Sequence, residues 1–373
     1  MQGIYLHIPF CRKACLYCDF HFSTQLKTKG ILVDAICKEI ELRKDFLEDK
    51  QLNSIYFGGG TPSVLDKSEL EKLFSALSRH FNWSANAEIT FECNPDDLSK
   101  EKLTELKEFG INRLSIGLQS FDDTELKWMN RLHTAAQSEA SVKLAQDLGF
   151  ENITIDLIYG SRFQTLKSWE HTLQKAVALD VKHISSYNLT VEEETELGHK
   201  VNKGTEEKVD EEKSAAQFNM MIDLLSQNGF DQYEISNFGK EGFYAVHNSN
   251  YWKGSKYLGI GPSAHSFNGV SRQWNLANNA IYVNAINEGK EFFETENLTA
   301  QNRYNEYVMT GLRTKWGCDL DFIREEFGEE FAKHFSEKSQ HYIPETIQKQ
   351  GSVFTLTKKG KLLADKIAME LFV

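Results

Sequence analysis

The chain is poor in proline and cysteine and carries no excess of positive charge. Five prolines in 373 residues, with no low-complexity tract, exclude a proline-rich linker or a long disordered arm. A formal net charge of −12 argues against a partner held chiefly through phosphates, since such binding rests on clustered Lys and Arg. Nucleic acid is therefore not expected. No apolar run approaches the length that spans a bilayer, and no basic segment leading into an apolar one opens the chain. A cytoplasmic protein with at most peripheral membrane association follows as the expectation. Six cysteines in a chain of this length make no disulfide framework. Cys37, Cys93 and Cys318 are scattered; the other three are crowded together.

That trio, Cys11, Cys15 and Cys18, occupies eight residues directly after an apolar strand-like run, Gly3 to Ile8. A loop so short holds one metal centre and little else. Thiolates select zinc, copper(I) or iron–sulfur clusters. A structural zinc site closes four ligands, and His7 or His21 could supply the fourth, so spacing alone leaves zinc open. Three donors without a fourth suit a cubane cluster whose last iron stays free to chelate a small molecule bearing an amino and a carboxylate group.

Along the first 235 residues, β-rich runs alternate with amphipathic stretches. Strands are predicted at 3–8, 54–57, 88–92, 113–118, 153–158, 183–189 and 232–235. Helices are predicted at 28–47, 67–80, 99–109, 122–130, 137–148, 165–179 and 207–228. This alternation predicts a parallel α/β sheet built of βαβ units. Polar residues at the ends of those strands favour a partial (β/α)6 TIM-like barrel, because that rim is where barrel active sites assemble. Cys11, the Gly58-Gly59-Gly60-Thr61 run, Glu92, Gln119 and Asp156 all fall there. The stretch 236–298 reads as irregular and aromatic, a cover over the barrel mouth. Residues 299–373 read as helices with a small hairpin, a winged-helix-like α+β domain. Its 301–373 portion balances eleven basic against eleven acidic residues, which suits packing or partner docking rather than DNA.

Three consecutive glycines let a backbone approach a ligand closely, but this run lacks the Lys-Ser/Thr ending of a phosphate-binding loop. Its meaning comes from company. The cysteine loop, Gly58-Gly59-Gly60-Thr61-Pro62, Glu92-Cys93-Asn94-Pro95, Gly110-Ile111-Asn112-Arg113-Leu114-Ser115-Ile116-Gly117-Leu118-Gln119-Ser120-Phe121 and Asp156-Leu157-Ile158-Tyr159-Gly160 follow one another in order. Together they resemble the radical S-adenosylmethionine (SAM) proteins of the oxygen-independent coproporphyrinogen III oxidase family, over nearly the whole chain.

The resemblance implies that Cys11, Cys15 and Cys18 ligate a [4Fe–4S] cluster whose open iron takes the amino and carboxylate groups of SAM. Reduction of the sulfonium would then release a 5′-deoxyadenosyl radical. It further implies that Tyr5 shields or positions the cluster loop and that Gly59, Gly60 and Thr61 meet the methionyl end. Arg131 would pair with its carboxylate, while Glu92, Gln119 and Asp156 would hold the ribose and nearby polar atoms. The residue types suit those tasks: a diol wants carboxylate acceptors and a carboxylate wants a guanidinium fork. Arg131 could equally pair with Asp122 or Glu125 on a helix face, and Asp156 could cap a turn.

Two departures stand out. Relatives follow Asp-Leu-Ile-Tyr-Gly with Leu-Pro-Gly, whereas this chain has Gly160-Ser161-Arg162-Phe163-Gln164-Thr165. Position 20 is Phe20, where the oxidases carry a further cysteine. Cys-x-Phe, the short N-terminus and the run His247-Asn248-Ser249-Asn250-Tyr251-Trp252 resemble instead the haem-chaperone branch, HemW. There His247 would be the haem-iron ligand, with His265 a second candidate; the alternative is a hydrogen-bonded histidine in an aromatic cluster. No Cys-Pro haem motif is present. Two functions follow: a chaperone binding haem, cluster and SAM that delivers haem to recipients such as respiratory proteins, with dimerisation open, or an oxidase decarboxylating coproporphyrinogen III to protoporphyrinogen IX.

Overall fold

In the computed structural model, which describes residues 2–373, the first six strands lie side by side in chain order. These are β1 (Gln2–Ile8), β2 (Gln51–Gly59), β3 (Asn82–Cys93), β4 (Arg113–Gln119), β5 (Asn152–Tyr159) and β6 (His183–Asn188). Every neighbouring pair is parallel. Helices Lys29–Leu42, Lys67–His80, Lys100–Glu108, Ala135–Asp147 and Leu166–Ala178 return the chain between them. Three of these start at a capping box, set by Asp66, Thr134 and Thr165.

Strand side chains alternate with period two, and here the alternation separates a greasy shell from a polar lumen. Ile4, Leu6, Ile8, Ile55, Phe57, Ile89, Phe91, Leu114, Ile116, Ile153, Ile155 and Leu157 are buried in one core with the helices. Each such side chain contributes roughly 1.5–3 kcal/mol relative to exposure. The intervening positions, among them Tyr56, Thr90, Glu92, Arg113, Ser115, Thr154, Asp156 and Ser185, line a small cavity of about 50 Å³.

The stretch 236–298, expected to be irregular cover for the barrel mouth, continues the sheet at both edges. On one side β8 (Asn237–Gly239) runs antiparallel to β6 and forms a hairpin with β7 (Asp231–Glu234), the strand predicted at 232–235. On the other, β9 (Lys256–Ile260) runs parallel to β1, followed by antiparallel β10 (His265–Phe267), β11 (Ser271–Asn275) and β12 (Phe293–Asn297). The strands within 236–298, three to five residues long, carry too little alternation to be read, and their pairing comes from tertiary contact. The helix Val246–Trp252 between the two edges closes the floor, opposite the cysteine loop: His247 meets Ser54 and Gly3 at the start of β2 and β1. The predicted helix 207–228 is shorter, Glu211–Gln227, and is preceded by Glu196–Asn202, which the sequence did not disclose.

Helix Ala300–Leu312, β13 (Cys318–Asp319), helices Leu320–Phe327 and Glu329–Ser339, and the hairpin β14 (Ile347–Gln350) with β15 (Val353–Leu356) give the order of a winged helix. Tyr304, Val308, Phe335, Phe354 and Ile367 form its own core. It docks on the barrel through backbone bonds from Ile235 to Arg313 (3.0 Å) and from Lys315 to Tyr233 (2.9 Å). No helix among the described residues is long and apolar enough to cross a membrane.

Candidate cofactor site

The cysteine loop is anchored at both ends and from above. Cys11 N–H donates to Ser23 O (3.1 Å) and Ser23 N–H to Pro9 O (2.8 Å), closing the loop into a return stroke. Leu16 inserts beside Met129, Ile158, Leu189 and Leu197; its N–H donates to Met129 O and its carbonyl accepts from Leu197. Asn130 donates to Ala14 O at 2.6 Å. Burial pushes the Cys11 thiol up to about 11 and Cys18 to about 12, so metal has to displace their protons on binding. The three thiols share the loop without converging on one point, and no metal-like group of three His, Cys, Asp or Glu is found among the described residues.

Both His7 nitrogens are engaged, Nδ1 with the Tyr5 hydroxyl (3.0 Å) and Nε2 with His21 O (2.9 Å), while His21 Nε2 meets Asn279 (2.7 Å). His7 thus has no nitrogen to offer a metal, whereas these bonds leave Nδ1 of His21 uncommitted. The Tyr5 hydroxyl meets His7, whose other nitrogen reaches His21 O, three residues beyond Cys18.

The glycine run packs against that loop. Gly60 N–H donates to Ile8 O (2.9 Å), Thr61 N–H to Phe10 O (2.8 Å), and the Thr61 hydroxyl to Cys11 Sγ (3.3 Å). A Cβ on Gly60 would lie 2.7 Å from Phe10 N, and one on Gly59, whose φ is +106°, 2.7 Å from the His7 ring. Here glycine is required by close approach. Arg131 is drawn in as well: Nη2 donates to Asn94 Oδ1 and Gly117 O (both 2.7 Å), Nη1 lies 3.5 Å from Cys15 Sγ, and the buried Nε has no partner. Neither Asp122 nor Glu125 pairs with it; Asp122 caps a helix and Glu125 accepts from Gln164.

Glu92 and Asp156 face the same lumen. Tyr56 donates to Glu92 Oε1 (2.7 Å), yet burial raises Glu92 to about 7. Ser115 donates to Asp156 (3.2 Å), which burial raises to about 6. Gln119, at the end of β4 beyond a register shift, holds φ +64°, a conformation a β-unbranched polar residue adopts only under constraint. The turn lacking Leu-Pro-Gly is fixed differently: Gln164 accepts from Gly160 N–H (3.0 Å) and donates to Ile158 O (2.9 Å).

By residue chemistry rather than by convergence, three free thiols in one loop, glycines packed on its backbone and a buried guanidinium with a spare N–H suit a cluster that holds an amino-acid chelate. Cys11, Cys15 and Cys18 would hold the cluster, and Gly59, Gly60, Thr61 and Arg131 would be the residues to meet a methionyl end.

His247 lies elsewhere. It is buried on the floor, Nδ1 2.8 Å from Ser54 Oγ and Nε2 2.8 Å from the Tyr251 hydroxyl, and burial lowers it to about 3. Both nitrogens are occupied within the fold, as in the hydrogen-bonded packing alternative. His265 is exposed on β10, beside Trp274. Sequence reasoning passed over Tyr56, Arg113, Ser115, Thr154 and Ser185. Their signal was present: polar side chains at every second position of strands whose other positions are Ile, Leu or Phe.

A partial barrel of parallel strands with a cysteine trio leaving the first strand defines a radical SAM protein. The model of the radical SAM superfamily matches residues 5–176 and that of the HemN C-terminal domain residues 298–363. The heme chaperone HemW of Bacillus subtilis is 34% identical over 98% of each chain. That of Lactococcus lactis is 35% identical over 93% of this chain and 90% of its own. A solved structure of coproporphyrinogen III oxidase (HemN) from Escherichia coli, described as a radical SAM enzyme, superimposes with a TM-score of 0.86 at 25% identity, covering 100% of this chain and 90% of that one. The chain belongs to the HemW family of radical SAM proteins.

Proposed function

We propose that this protein is a haem chaperone: it binds haem, carries a [4Fe–4S] cluster with SAM, and passes haem to recipient proteins, respiratory enzymes among them. The whole-length kinship with proteins named heme chaperones carries this reading. Phe20 supports it from within the chain, since the side chain two residues beyond Cys18 is an aromatic ring, 71% exposed, with no thiol to offer. When bound, the cluster supplies an electron to the SAM sulfonium. The chain's own part is to hold the three thiolates, orient the methionyl carboxylate at Arg131 and accept from the ribose at Glu92, Gln119 and Asp156. Haem is assigned to the His247 imidazole, which burial keeps neutral and hence able to donate a lone pair to iron. Dimerisation is a further element of the proposal.

The likeness to the oxidase keeps a second reading in play, decarboxylation of coproporphyrinogen III. Anaerobically reconstituted protein given SAM, reductant and coproporphyrinogen III should yield no protoporphyrinogen, and should show a Soret band on haem titration. Turnover with no haem binding would replace the chaperone by the oxidase.

A further inference from the structure

We propose that Tyr251 masks the iron-binding nitrogen of His247 and that Ser54 orients the ring, so that the haem site is held closed until Tyr251 swings away. This rests on the reading of His247 as the haem ligand.

The two nitrogens face different surroundings. Nδ1 points into the barrel floor, against Ser54 Oγ and Gly3, where a Cβ on Gly3 would stand 3.1 Å from Nδ1 and 2.7 Å from Ser54 Oγ. No porphyrin enters on that side. Nε2 points to Tyr251, one helical turn further along Val246–Trp252. Beyond it, Tyr251 meets Tyr257 edge to face at 4.5 Å, and Tyr257 meets Phe267 at 6.4 Å. All three are only partly buried, so this aromatic row runs from Nε2 toward the surface and offers a flat macrocycle apolar faces.

Among the described residues the Tyr251 hydroxyl has no other hydrogen-bond partner, and it is the better donor of the two hydroxyls around the ring. It therefore gives its proton to Nε2, which leaves Nδ1–H to donate to Ser54. The in-plane lone pair that Tyr251 holds is the one iron needs, and one lone pair cannot serve both. Ser54 then does for His247 what outer partners do for metal-bound histidines: it fixes the tautomer and ring plane. The helix itself stays put while Tyr251 moves, because Glu88 accepts from the N–H groups of Val246 and His247 (both 2.9 Å).

The test is haem titration and stopped-flow binding of the full chain as wild type, Tyr251→Phe, Ser54→Ala and His247→Ala, each checked for native circular dichroism. Phe keeps the ring and removes the mask, so Tyr251→Phe should bind haem roughly 2- to 10-fold tighter, the worth of one neutral hydrogen bond, with a faster on-rate. Ser54→Ala should still bind but shift the ferrous iron–histidine stretch in resonance Raman spectra, which a mere packing role would leave unmoved. Unchanged or weaker binding by Tyr251→Phe, with His247→Ala defective, overturns the mask and keeps the ligand. Wild-type haem spectra and affinity in His247→Ala overturn the ligand assignment itself, whatever Tyr251 does.

Discussion

Tyr56 reaches both levels of the barrel: its hydroxyl donates to Glu92 Oε1 at 2.7 Å while its ring centroid lies 5.1 Å from that of His247. One side chain thus couples the lumen below the cysteine loop to the floor. The carboxylate it serves is under tension, because the lumen buries Glu92 and raises it from 4.5 to about 7.

The sign of that shift fixes a pH dependence. A folded-state value above the unfolded one means that between pH 4.5 and 7 the native chain holds more protons than the unfolded chain. The associated stability is complete below about pH 4.5 and lost as pH climbs through 7. Glu92→Gln, which cannot ionise, should therefore gain on wild type in denaturant melts between pH 5 and 8, by about 3 kcal/mol at the upper end. SAM binding by wild type should strengthen over the same range, since the ribose needs the ionised acceptor. Glu92→Gln should bind SAM weakly at both pH values.

The seam between the glycine run and the cysteine loop is a matter of space. A methyl group on Gly60 meets backbone, Phe10 N at 2.7 Å and Phe10 O at 2.8 Å, which cannot yield as a side chain would. A methyl group on Gly30, in the helix Lys29–Leu42, would meet nothing within 4 Å. Gly60→Ala should cost about 1–3 kcal/mol in a chemical melt and lower iron incorporation. Gly30→Ala should gain about 0.5–1 kcal/mol and leave iron loading alone.

What could be read beforehand follows from where the determinants lie. β1 through β6 and their helices were legible because long periodic runs with capping residues specify themselves locally. The cysteine trio and glycine run fell at strand ends, where the rim argument placed them. His247 was legible as a residue and not as a place: its depth depends on β9 pairing with β1 and on Glu88 gripping the helix start, contacts that span 158 residues or more. Leu197 was equally hidden, since the acidic run Glu192–Glu196 masks a helix whose purpose is to press one leucine onto Leu16.

Arg131 offers a sharper test of the methionyl end. Its Nη2 is spent on Asn94 and Gly117, leaving the unpartnered Nε, with Nη1 close to Cys15, to meet a carboxylate. Arg131→Lys keeps a positive charge but loses the fork, so SAM affinity measured by calorimetry should fall about 10- to 100-fold, the range for a charge-assisted hydrogen bond. Haem affinity, read at the floor, should not change.

Leu197 should matter to the cysteine loop more than to the rest of the chain. Its side chain is 1% exposed in the small cluster with Leu16, Met129, Ile158 and Leu189, and its N–H donates to Leu16 O at 2.9 Å. The two larger cores do not include it. Leu197→Ala keeps the backbone bond and removes the packing, a loss of about 2–5 kcal/mol that falls on a local unit able to open separately. Iron should then pass to a chelator at least about 10-fold faster under anaerobic conditions, because opening exposes the loop. The winged-helix core should keep its amide-exchange protection. If iron loss stays at the wild-type rate while the whole chain melts earlier, Leu16 is held by the sheet rather than by this clasp.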